Sequence, residues 1–254
     1  MRRNPIILLF ICSILFFSTR HTALAEPPGE LKVQPDVLNI GTFYSGGRIT
    51  ISGEVSDGQD VIIQIAGPTS NGKFDIKGRV GPFWMTRDKA EVSGAPVMYV
   101  LLLPEGEAWQ AKASTLGLDL RQLRKKIDLH ADSLPPDKLF DMFLQLKKSE
   151  GLYVIEDNAV TYASGPNGGR RFTAGYRFPR STATGQYTIK ATAVAGDEMV
   201  MEQSTTLTVD EIGFTRMVDD LATNQRLLYG VFAVIIALFT GGVMGLLFKG
   251  GGGH

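Results

Sequence analysis

An uncharged apolar run from Leu227 to Phe248 constrains this chain more than any other feature. At a rise of about 1.5 Å per residue it makes a helix roughly 33 Å long, enough to cross the hydrocarbon core of a bilayer. Only Lys249, a run of glycines and His254 follow it. One membrane-spanning helix over 227–248 is therefore predicted, with a tail over 249–254.

The opposite end carries an export pattern. Arg2 and Arg3 precede an apolar stretch from Ile6 to Phe17, and Ala23-Leu24-Ala25 places small residues where a signal peptidase cuts. A signal peptide over 1–25 is expected, with an uncleaved anchor as the alternative. Either way the middle of the chain is exported and the tail is cytoplasmic. Lys249 agrees with the positive-inside tendency, although Arg226 occupies the other flank.

Composition narrows the function classes. Lysine and arginine balance aspartate and glutamate at 26 each. Once Arg2, Arg3 and Arg20 leave with the signal, carboxylates exceed cations by about three, so nothing calls for nucleic acid. The single cysteine, Cys12, lies in the signal's apolar stretch. The exported part then has no disulfide, and its stability must come from an ordinary core.

From Leu31 to Pro104 short alternating or apolar runs are broken by turn residues, which predicts strands. Candidates are Leu31 to Ile40, Arg48 to Val55, Val61 to Ala66, Lys73 to Val80 and Val97 to Leu103. Ile49, Ile51, Gly53 and Val55 alternate with Thr50, Ser52 and Glu54, the mark of a strand with one buried face. The pattern changes near Trp109. Leu120, Leu123 and Ile127 recur at helical spacing, and a second stripe of Leu139, Phe143 and Leu146 follows Pro135-Pro136 and stops at Gly151. A helical hairpin over about 109–150 is predicted.

Strands resume after Leu152, most clearly Gly185 to Ala195 and Glu198 to Val209 around Gly196-Asp197. The predicted fold over 26–210 is mainly β, an immunoglobulin-like antiparallel β-sandwich with the helical hairpin inserted, and two small β domains are the alternative. Residues 211–226 then place Phe214, Met217, Val218 and Leu221 on one stripe. This juxtamembrane helix is expected to continue the spanning helix outward, its stripe facing the sandwich, the lipid surface or a partner.

The exported part offers little catalytic chemistry. Once the signal is removed the histidines left are His130 and, in the tail, His254, too few for the usual zinc sets, and no Gly-x-Ser-x-Gly elbow accompanies His130. His130 is expected at a solvated helix end. The glycine-rich pieces Gly41 to Gly47 and Gly165 to Gly169 lack the Lys-Ser/Thr ending of a phosphate loop. Asp57 with Asp60, Glu105 with Glu107 and Asp219 with Asp220 are paired acids without an evident cleft. Met199 and Met201 share a strand face, more suited to packing than to copper. No cofactor, no metal and no enzymatic activity are expected.

Three features suit binding. Arg170, Arg171, Tyr176, Arg177 and Arg180 interleave cations with aromatics around Phe172 and Phe178, which fits an oxyanion, an anionic lipid or an acidic partner, or else a solvated strand. Phe83 and Trp84, inside Gly81-Pro82-Phe83-Trp84-Met85, suggest a buried sandwich tryptophan, with an exposed docking knob as the alternative. Gly241 and Gly245 form a Gly-x-x-x-Gly step on which a second membrane helix can approach.

This layout, with Ile40-Gly41-Thr42-Phe43-Tyr44-Ser45-Gly46-Gly47, the Gly81 to Met85 piece and Ala95-Pro96-Val97-Met98-Tyr99, resembles the transmembrane protein family described in alphaproteobacteria. The resemblance covers nearly the whole chain. It implies a bacterial envelope protein, and with the export pattern and the closing span the chain is expected in the inner membrane with its main domain periplasmic. Genes of such proteins often neighbour a sulfite-exporter-like permease, which implies an accessory role to a membrane transporter. A periplasmic binder of a small oxyanion through Arg170 to Arg180 is the alternative function.

Overall fold

The computed structural model describes residues 29–106, 108–165 and 168–248. The signal expected over Met1 to Ala25 and the tail from Lys249 lie outside the described residues. In chain order the strands begin with Lys32–Gln34 (β1), Val37–Ile40 (β2), Gly47–Val55 (β3), Asp60–Ala66 (β4), Thr69–Val80 (β5), Phe83–Pro96 (β6) and Tyr99–Pro104 (β7). After Asp128–His130 (β8) come Tyr153–Ser164 (β9), Arg170–Phe178 (β10), Gly185–Ala195 (β11) and Glu198–Glu211 (β12). The helices are Trp109–Thr115 (α1), Pro136–Ser149 (α2), Phe214–Asn224 (α3) and Arg226–Phe248 (α4), with a 3-10 helix at Leu120–Lys125.

Alternation along β3 buries Ile49, Ile51 and Val55, and the inward position of Gly53 is left open for the Phe172 ring. A Cβ on Gly53 would lie 2.6 Å from that ring, so the break in the apolar pattern is a packing requirement. β4 and β7 are instead apolar on successive residues. Ile63, Ile65, Val100 and Leu102 enter the main core, while Ile62, Leu101 and Leu103 face Ala113 and Leu118 on the other side. Strands covered on both faces read as continuous apolar runs.

Among the described residues nine strands form one sheet in the order β1-β3-β10-β9-β7-β4-β11-β12-β2. β1 and β2 are consecutive in the chain yet sit at opposite edges, so the sheet curls round until the chain crosses between them at Pro35-Asp36. The result is a mainly β, sandwich-like or barrel-like body. Two neighbouring pairs, β7 with β9 and β12 with β2, are parallel, in contrast to the antiparallel pairing predicted throughout. A parallel pair needs a crossover, and the β7 to β9 crossover carries the whole insertion.

That insertion is richer than a hairpin of two helices. Leu120, Leu123 and Ile127 are buried as their spacing suggests, but the first two lie on the 3-10 helix, whose three-residue turn brings them to one side. The chain then pairs with β6 as β8. α2 buries Leu139, Phe140, Phe143 and Leu144 and ends at Gly151, with the Leu152 N–H on the Lys147 carbonyl and the Gly151 N–H on that of Lys148.

A second, three-stranded sheet has the order β5-β6-β8. Its hairpin grows out of the main sheet. The β4 and β7 ladder continues through a Gly67 N–H on the Met98 carbonyl (2.8 Å) and a Val97 N–H on the Pro68 carbonyl (2.9 Å), and then into Thr69 opposite Pro96. We call the β5–β6 hairpin the arm.

The arm and the C-terminal helices leave the main sheet by the same end. Ala66 at the end of β4 is level with Thr188 of β11, and Gly185 of β11 is opposite Val209 of β12. Pro68, at the arm's root, lies against Gly185. Beyond β12 the Ile212 N–H reaches the Ile40 carbonyl at 2.9 Å before α3 begins. α3 and α4 are separate helices, in contrast to the expected outward continuation. Gln225, with φ −129° and ψ 50°, departs from helical geometry between them.

Candidate interaction surface

β10 distributes its side chains by strand alternation. Phe172, Ala174, Tyr176 and Phe178 enter the core, whereas Arg171 and Arg177 face solvent. The strand rises about 3.3 Å per residue, which separates Arg170 from Arg180 by roughly 30 Å. The predicted cluster therefore divides between the two ends of the sheet.

At one end Arg170 lies over the Tyr162 ring, 4.3 Å from its centroid, and pairs with Asp60 at 3.1 Å and Asp57 at 4.0 Å. Its guanidinium also donates to the Gln59 carbonyl. The Asp57 and Asp60 pair thus holds a cation of the same chain. Arg171 pairs with Glu54 at 3.1 Å beside a shallow hollow lined by Glu30, Lys32, Ser52 and Gly53. Carboxylates there offset the positive charge that an oxyanion would need.

At the other end, the one from which the arm and α3 depart, Arg177 is exposed with Nη2 at 3.5 Å from the Ser45 carbonyl, and Arg180 is also exposed. The β2–β3 loop beside them carries Phe43, which is 95% exposed. Tyr44 next to it is half-buried, and burial raises its phenol above the ordinary value.

Phe83 and Trp84 occupy the tip of the arm, where they are 67% and 74% exposed, with Met85 at 53%. The expected buried sandwich tryptophan is thus overturned in favour of the exposed alternative. The physical reason is register. β6 begins at Phe83, its first seven residues lie beyond α2 and β8, and only from Ala90 onward does it join a core shared with Leu129 of β8 and Leu139 and Phe143 of α2. The other tryptophan, Trp109, is half-buried on α1, donates from Nε1 to the Glu105 carbonyl at 3.2 Å and carries Lys112 over its ring.

Gly241 and Gly245 lie on α4, where a Cβ on either would meet nothing within 4 Å. The α4 span Arg226–Gly245 has mean hydropathy 2.3 and none of it is buried. On α3, Met217 is 55% exposed and Val218 and Leu221 are half-buried. Arg216 bonds Asp210 at 3.0 Å, and the Asn224 amide bonds Asp220 at 3.1 Å.

His130 is solvated, as expected, but on β8 instead of a helix end, with Asp132 at 3.7 Å. Met201 packs on the main core while Met199 is exposed. Among the described residues no group of three or more His, Cys, Asp or Glu side chains is placed to hold a metal ion.

A family model described as Putative transmembrane protein (Alph_Pro_TM) matches residues 30–250. No curated protein matches the chain.

Proposed function

The chain belongs to this transmembrane protein family, and from that premise we propose a single-pass bacterial inner-membrane protein whose β domain faces the periplasm and works by binding. Its role is that of a non-catalytic accessory to a membrane transporter or other envelope complex. The observation that supports this reading is α4, an apolar helix with no part of its span covered and with open space over Gly241, Gly242 and Gly245. A glycine face allows another membrane helix to approach closely, where packing and not hydrophobicity drives association.

The test is affinity purification from native membranes in mild detergent. A membrane transporter should co-purify with the unmodified chain, a sulfite-exporter-like permease being the first to look for. Recovery should fall when Gly241→Leu and Gly245→Leu are combined. Recovery of no membrane protein at native expression would count against the accessory role. The oxyanion alternative loses Arg170 and Arg171, which are held by carboxylates, and the exposed Arg177 and Arg180 lie at the other end of the sheet.

A further inference from the structure

We infer that the end of the β domain carrying the arm and the β2–β3 loop docks on the anionic headgroup surface of the bilayer that holds α4. Three independent placements converge on that end. α3 and α4 leave from it, one strand away from the β11 residue against which the arm's root packs. Phe43 projects from it almost wholly exposed, with Arg48, Arg177 and Arg180 exposed nearby. The arm prolongs β4 and β7 beyond it and ends in Phe83, Trp84 and Met85.

The arm has the layering of an interfacial anchor. Val80 pairs with Phe83 at the turn, then Arg79 with Trp84, Gly78 with Met85 and Lys77 with Thr86. The side chain of Arg87 lies across Gly78, where a Cβ would strike it. Aromatic and thioether groups thus come first and cations lie level with them or behind. The only carboxylate among residues 77–89 is Asp88, which accepts the Ser133 N–H at 2.9 Å and the Lys89 N–H at 2.7 Å. Tryptophan favours the headgroup level of a bilayer, and lysine and arginine stems extend along apolar matter to reach phosphates.

A bilayer is favoured over an acidic protein because the anchor holds the domain beside lipid permanently, which makes docking an intramolecular event. Reach is sufficient. Twelve residues of β5 extend about 40 Å at 3.3 Å each, whereas the eleven residues of α3 rise only about 16 Å.

The experiment uses the full chain with Trp109→Phe, which leaves Trp84 as the one tryptophan. The protein is placed in vesicles of phosphatidylcholine and phosphatidylglycerol, with or without brominated acyl chains. The expected result is a blue-shifted Trp84 emission, most of it quenched by bromolipid, with quenching lost when Arg79→Glu and Arg87→Glu are added. Emission unaffected by bromolipid and open to aqueous acrylamide would overturn the inference. So would protection from acrylamide without bromolipid quenching, which would point to a protein contact. Equal quenching in phosphatidylcholine alone would overturn the assignment to an anionic surface. No transporter is present, so the outcome is independent of the accessory role.

Discussion

The Tyr153 hydroxyl donates a 2.8 Å hydrogen bond to the carbonyl of Pro96, the last residue of β6, and both residues are buried. Tyr153 opens β9 of the main sheet, and its ring meets Phe143 of α2 edge-on at 5.7 Å. Phe143 in turn contacts Phe74 of β5 at 6.3 Å. One tyrosine therefore joins the sheet, the inserted helix and the root of the arm.

Tyr153→Phe keeps the ring but leaves the Pro96 carbonyl without its partner. An orphaned buried acceptor costs about 1–3 kcal/mol, so thermal scans of the full chain in mild detergent should show a Tm lower by several degrees. An unchanged Tm would remove Tyr153 as the joint.

Trp84→Ala should behave in the opposite way. The side chain is 74% exposed and makes no core contact, so stability should change by less than about 0.5 kcal/mol in the same scans. A loss of several kcal/mol would mean that the arm's tip is packed on something.

The arginines of β10 should separate. Arg170→Ala strips a half-buried cation from Asp60 and from the Tyr162 ring and should cost about 1–3 kcal/mol. Arg171→Ala breaks a surface pair and should cost about 0–1 kcal/mol. The oxyanion alternative predicts instead an anion-induced rise in Tm that Arg171→Ala with Arg177→Ala abolishes.

Alkali should unfold the domain over a defined window. Burial pushes the phenols of Tyr99, Tyr162, Tyr176 and Tyr187 up to about 12, and that of Tyr153 higher still. In the unfolded chain they ionise near about 10. The unfolded state then holds fewer protons, so the stability these phenols contribute is complete below about pH 10 and is lost as pH rises through about 12. Absorbance at 295 nm should rise late and together with unfolding, and Tyr176→Phe should soften the dependence. Normal titration of all tyrosines in the folded protein would contradict their burial.

Much of this architecture was legible in the sequence because each element carried its own period. The Gly185 to Ala195 and Glu198 to Val209 pair, which the structure extends to Glu211, the inward row of Ile49 and Ile51 and the capped helix ending at Gly151 needed only local rules. β6 was not legible. Between Phe83 and Lys89 every residue but the half-buried Asp88 is exposed, so no alternation marks it, and its cross-strand partners in β5 set it as a strand. The arginine run was visible as a cluster only in one dimension. Strand geometry sends Arg170 to one end of the sheet and Arg177 and Arg180 to the other, and only the second group lies at the end from which α3 and α4 depart. Phe43 gave no signal beyond its family-like stretch, because exposure depends on neighbours that the sequence does not place.

The most direct test of the proposed membrane docking is the depth of a nitroxide at Phe43→Cys, in full-length protein with Cys12→Ser, reconstituted in vesicles containing phosphatidylglycerol. A second label at Glu198→Cys reports the opposite end of the sheet. The label at residue 43 should collide more with oxygen than with an aqueous nickel chelate, as at a lipid interface, while the label at residue 198 does the reverse. Equal access of the chelate to both positions would contradict the proposed docking.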